Sequence, residues 1–265
     1  MKHKKLGLIL IVLILLTIVW IAFCGYQWSW GPFEKLHDLK TKHHPGNASD
    51  YALDTVSKEK SSTLANKQIL FLGSSVTYGA ASQGVSFADY LSAKTGCISV
   101  KDAVSGTTLV DNGGNSYIKR LNKQTTSNVD LLVCQLSTND ATQKKELGAI
   151  SSSKDIEDFD TNTIAGAIEY IIAYSQDKWD CPVMFYTNSH YDSAEYDKMV
   201  KLLYQLQDKW KIGIIDLWNN DDFNQITDEQ RTLYMADSIH PTKAGYLEWW
   251  LPTMETSIIE YLKVE

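Results

Sequence analysis

Four short segments carry side chains that together could attack an acyl carbon. Ser75 lies in Gly73-Ser74-Ser75-Val76-Thr77-Tyr78-Gly79, directly after the apolar run 68–72. Gly106 sits in Ser105-Gly106-Thr107-Thr108 after a second such run, and Asn139 in Ser137-Thr138-Asn139-Asp140 after a third. Near the C-terminus, Asp237-Ser238-Ile239-His240-Pro241 puts a carboxylate three residues before an imidazole. A serine hydroxyl needs a base to become a nucleophile, and His240 is a side chain that can accept a proton near neutral pH. Asp237 is close enough, in a turn, to accept the imidazole Nδ1 hydrogen and fix the tautomer. The backbone amides of Ser75 and Gly106, with the side-chain amide of Asn139, would then hold the oxyanion, and a glycine at 106 has no Cβ to obstruct its approach. Taken singly, each segment reads as a cap, a turn or an Asx motif. Their order, each at the end of a successive element, carries the chemical reading. His190, in Tyr186-Thr187-Asn188-Ser189-His190, falls after a fourth apolar run and is a candidate substrate contact. Asp140 beside Asp237 and His240 would suit a metal phosphoesterase, but no further cluster with ligand spacing accompanies them. The expectation is therefore no metal and no cofactor.

The elements that must position these residues alternate. Apolar runs predict strands over 68–72, 97–104, 129–136, 183–186 and 212–217. Helical stripes run over 87–94, 117–124, 156–178, 194–210 and 242–263, the last entered through Pro241 and expected to kink at Pro252. Strands alternating with helices call for right-handed crossovers and a parallel sheet covered on both faces. Ligands bind such sheets beyond the carboxyl ends of the strands, where the four segments lie. Trp249 and Trp250 are expected to pack a helix on the sheet, and Cys134 to be an inert core thiol.

The four segments resemble the blocks of the SGNH (GDSL-type) hydrolases, and the resemblance covers about residues 67–263. The family's first block reads Gly-Asp-Ser-x-Thr-x-Gly; registering on Thr77 and Gly79 makes Ser75 the nucleophile. The second-block glycine then falls on Gly106, the third-block asparagine on Asn139, and the last block on Asp237, His240 and Pro241. Ser74 replaces the family's aspartate and Ser137 a glycine. The resemblance implies a flavodoxin-like three-layer α/β/α sandwich with a five-stranded parallel sheet. It also implies a serine esterase without a cofactor. No lid-like apolar helix interrupts the domain, which favours a short acyl group such as acetyl. An O-acyltransferase on an envelope glycan, or a binding protein that retains the fold without activity, would carry the same segments.

The remaining sequence places this domain. The chain has 265 residues, with 44% hydrophobic and 22% charged, as expected of a globular protein. Its 25 Lys+Arg against 32 Asp+Glu give a net charge of −7, which argues against a nucleic-acid partner. The cysteines at 24, 97, 134 and 181 form no CxxC pair. Leu6 to Cys24 is apolar apart from Thr17, about the length that spans a bilayer core. Lys2, Lys4 and Lys5 precede it and should remain cytoplasmic, while Trp20, Tyr26, Trp28 and Trp30 suit the far interface. The expected organisation is a basic head and single transmembrane anchor over 1–25, a stalk over 26–66, and an extracellular hydrolase domain over 67–265. A cleaved signal peptide is the alternative for the first segment. Within the stalk, His43-His44 reads as exposed linker, and Asn47-Ala48-Ser49 has the form of a glycosylation acceptor, meaningful only in a eukaryotic secretory pathway.

Overall fold

Runs of Leu, Ile, Val and aromatic residues too short for a helix, each closed by a polar or glycine-containing segment, become buried strands. In the computed structural model, which describes residues 2–28, 31–33, 39 and 41–264, they are β1 (Gln68–Gly73), β2 (Ile98–Ala103), β3 (Leu131–Gln135), β4 (Val183–Tyr186) and β5 (Gly213–Ile215). All four pairings are parallel, in the order β2-β1-β3-β4-β5. That is the flavodoxin-like order.

Successive strand side chains point to opposite faces, so β1, β3, β4 and β5 each feed two cores. Leu70, Leu72, Leu132, Cys134 and Phe185 pack with α4 (Tyr117–Asn122), α6 (Ile164–Trp179) and α7 (Ala194–Trp210). Ile69, Phe71, Val133, Met184 and Tyr186 pack with α3 (Phe87–Thr95) and with the C-terminal helical segment. The result is a three-layer α/β/α sandwich. Trp250 is fully buried beside Phe87, and Trp249 stacks on Phe223, so both tryptophans pack as the sequence suggested. Cys134 is buried, and its thiol is pushed well up by that burial.

Two helices differ from the periodicity. The expected helix over 156–178 begins only at Ile164, because the Thr163 side chain accepts the Gly166 N–H and caps it there. The closing helix begins at Lys243 rather than through Pro241, which instead bridges Met235, and runs as a π-helix over Gly245–Trp250 before α10 (Leu251–Val264). The widened turn directly precedes Pro252, which lacks an N–H and would crowd the carbonyl of a regular turn.

The N-terminal helix α1 (Lys2–Trp28) contains Gly7–Tyr26, with mean hydropathy 3.1, the one described helix long and apolar enough to cross a membrane. Trp30 lies outside the described residues. From residue 41, the segment expected as a stalk lies on the sandwich. Leu64 is buried, Tyr51 and Val56 pack on the second core, and the Tyr90 hydroxyl donates to Tyr51 O at 2.6 Å.

Candidate active site

The nucleophile segment is built by a sharp turn out of β1. Ser75 opens the short helix α2 (Ser75–Tyr78), so its N–H has no acceptor within the helix. Thr77 folds back over Gly73, where a Cβ would sit 1.7 Å from Thr77 Oγ1; no larger residue fits. The buried Gln135 at the end of β3 gathers this turn. Its Oε1 accepts from Ser74 N–H at 2.9 Å and from Thr77 Oγ1 at 2.8 Å, with longer bonds from Ser74 Oγ and Thr77 N–H at 3.3 Å. Thr77 Oγ1 also lies 2.6 Å from the Tyr186 hydroxyl. Ser74 is thus turned into the core, fully buried, while Ser75 keeps 7% of its surface exposed.

The Asp237–His240 segment is a closed loop. An isolated bridge joins Met235 to Pro241, and Ala236 N–H donates to His240 O at 3.0 Å. Inside it, Asp237 Oδ1 accepts the amides of Ile239 and His240 at 2.8 and 2.9 Å, while Oδ2 meets His240 Nδ1 at 2.9 Å. His240 Nε2 lies 2.8 Å from Ser75 Oγ. Burial works to raise the Asp237 carboxyl, but the His240 hydrogen bond and charge and the two amides outweigh it, leaving the carboxyl well below the usual range. It therefore remains an anion that can hold the ring and stabilise an imidazolium.

Gly106 lies in the loop after β2 and Asn139 in the short helix Thr138–Thr142, and the two segments are tied by several bonds. Asn139 Nδ2 donates to Thr107 O at 2.9 Å, which leaves its second hydrogen for another acceptor. Gly106 adopts φ +80, and a Cβ there would meet nothing within 4 Å. Glycine is required at 106 by backbone conformation rather than by space. Asp140, considered for a metal, is spent on this loop: its oxygens accept Leu109 N–H at 2.8 Å and Val110 N–H at 3.2 Å. Its carboxyl is raised by burial. Among the described residues, no group of three His, Cys, Asp or Glu side chains could hold a metal ion. Arg120, which sequence reasoning missed, reaches Gly73 O at 2.7 Å, Asp102 O at 2.6 Å and Thr107 Oγ1 at 3.3 Å, locking the ends of β1 and β2 to the Gly106 loop. Its only signal was a cation beside Ile118 and Leu121 on a helix with an apolar face. His190 is not among the hydrogen-bonded trio. It packs on Trp218 with ring centroids 4.4 Å apart and lines a cavity of about 540 Å³ with Asp192, Asp228, Arg231 and Asp237.

A hydroxyl, an imidazole and a carboxylate in one relay can perform acyl transfer. Residues 71–247 match the GDSL-like Lipase/Acylhydrolase family. The chain belongs to this family of lipase- and esterase-type hydrolases. No curated protein matches the sequence. Among solved structures, a protein from Lactobacillus plantarum superposes with TM-score 0.62 at 18% identity, covering 76% of this chain and 98% of that one. A member of the lipolytic protein G-D-S-L family from Veillonella parvula DSM 2008 gives 0.52 at 15% identity, covering 73% and 97%. An acetyl xylan esterase gives 0.50 at 15% identity, covering 72% and 99%. At these identities the likeness speaks for the fold alone.

Proposed function

We propose that the protein is a membrane-anchored serine esterase acting on short-chain carboxylic esters outside the cytoplasm. The observation that carries this is the 2.8 Å contact between Ser75 Oγ and His240 Nε2, with Asp237 on the opposite ring nitrogen. Ser75 Oγ attacks the ester carbonyl as His240 Nε2 takes its proton. The amides of Ser75 and Gly106 and the Asn139 side chain receive the developing oxyanion. The alcohol then leaves with the proton held by His240, giving an acyl-serine. Water attacks that acyl group, losing a proton to His240, and the carboxylic acid departs as Ser75 recovers its hydrogen. Asp237 stays ionised throughout.

Two features support the finer assignment. The long helices α3, α6, α7 and α10 pack on the sheet and so are not available to enclose a long acyl chain. The cavity beside His190 and Asp237 offers carboxylates, Arg231 and Tyr191 to the alcohol part, a lining suited to a polyhydroxylated group. The basic residues at the start of α1 and the apolar span that follows them support an anchor with the N-terminus inside. A panel of p-nitrophenyl esters tests the reading: acetate and propionate should be turned over with kcat/KM at least tenfold above octanoate. A preference for long chains would refute the short-acyl assignment.

A further inference from the structure

The family match begins at residue 71, yet a side chain well before it joins the two halves of the site. Asn47 lies in the 3-10 turn Pro45–Asn47 and is only 6% exposed. Its Nδ2 donates to Ala81 O at 2.7 Å and to Thr41 O at 2.8 Å, and its Oδ1 accepts the Lys243 N–H at 2.9 Å. Ala81 lies just beyond the helix that Ser75 opens, and Lys243 lies three residues after His240. One amide group thus bridges the nucleophile segment and the base segment. The turn is wedged in place: a Cβ on Gly46 would lie 2.0 Å from Leu233 O and 2.4 Å from Thr242 Oγ1. With all of its amide committed, Asn47 has no free Nδ2 for a glycan in the folded protein.

We propose that Asn47 is a positioning residue that holds His240 in register with Ser75, so that the segment following the membrane anchor sets the catalytic geometry. The inference rests on the esterase reading of Ser75 and His240. Misplacing reacting groups by about 1 Å can cost on the order of 100-fold in rate. Inside the matched domain the same two segments are also joined by the buried Tyr246 hydroxyl, which donates to Val76 O at 2.6 Å, and by the exposed Lys243 Nζ to Gln83 Oε1 bond at 2.7 Å; Asn47 adds a bridge nearer to His240 from outside it.

The test uses the full-length protein in detergent, well below its melting temperature. Asn47→Ala should lower kcat by about 10- to 100-fold with KM within about twofold, and slow the phosphonylation of Ser75 by a fluorophosphonate in parallel. Ile171→Val, in the opposite core layer, controls for stability: it should lower the Tm while leaving kcat and the labelling rate unchanged. Lys243 supplies a second route that leaves residue 47 intact. It occupies the first turn of its helix, where proline is tolerated; Lys243→Pro removes the donated N–H and should lower kcat several-fold, whereas Lys243→Ala keeps it and should stay near wild type. Wild-type kcat and labelling rate in both Asn47→Ala and Lys243→Pro, whatever their Tm, would overturn the inference alone. A wild type inert to esters and probe would overturn the reading of the site and this inference with it.

Discussion

The two halves of the site are held in place by different means. Ser74, Ser75 and Thr77 are at most 7% exposed and are tied to the end of the sheet by Gln135, Tyr186 and the close fit over Gly73. Asp237 and His240 keep 45% and 25% of their side chains exposed, in a loop closed by backbone bonds and joined to the β4 end by Asn188 Nδ2 to Ile239 O at 3.3 Å. The proposed nucleophile is thus placed by the core, and its proposed base by a peripheral loop. Damage to the first half should appear as lost stability together with lost rate, and damage to the second as lost rate in a folded protein.

Removing the hydroxyl at the meeting point gives the largest effect. Ser75→Ala should reduce kcat by several orders of magnitude, toward the rate that binding and oxyanion contacts alone sustain, measured in steady state against p-nitrophenyl acetate. On the loop side, Asp237→Asn should lower kcat by about three to four decades. KM should change little, because the carboxylate acts on charge that develops during reaction, and the Tm should change by only a few degrees. On the core side, Gln135→Leu strands buried donors on Ser74 and Thr77 at about 1–3 kcal/mol each. Its denaturation midpoint should therefore fall far more than that of Asn188→Ala, whose lost bond is worth about 1 kcal/mol or less. Equal losses from the two would erase the distinction between the halves.

The smallest effect concerns acid. The Asp237 carboxyl is held below its usual range when folded. It therefore adds stability above the unfolded carboxylate range near about 4, and that stability is lost as pH falls through the lower folded value. The Tm gap between wild type and Asp237→Asn should narrow as the pH is lowered from 7 to 3. Because the carboxylate is nearly half-exposed, the change should be slight. A gap that widened with acid would mean the carboxyl is raised, not lowered.

How much could be read from sequence followed the same division. The five strands were legible because apolar runs ended by special residues report buried strands and their edges directly, and the parallel sheet because helices alternate with those runs; the flavodoxin-like arrangement was implied by the family resemblance. Gln135 was visible as a polar residue in an apolar run, but its role depends on a partner 61 residues away. Asp140 looked like an Asx turn or a ligand; its partners, the Leu109 and Val110 amides, carry no side-chain signature. Asn47 was hidden most completely. Its contact with Lys243 spans 196 residues, and Pro45-Gly46 in a polar stretch reads locally as linker.

The central claim is that Ser75, not Ser74, is activated by His240. Reaction of the purified protein with a fluorophosphonate, followed by peptide mass spectrometry, measures this directly. The adduct should sit on Ser75, disappear in Ser75→Ala and His240→Ala, and persist in Ser74→Ala. An adduct on Ser74, or labelling that survives His240→Ala at the wild-type rate, would contradict it.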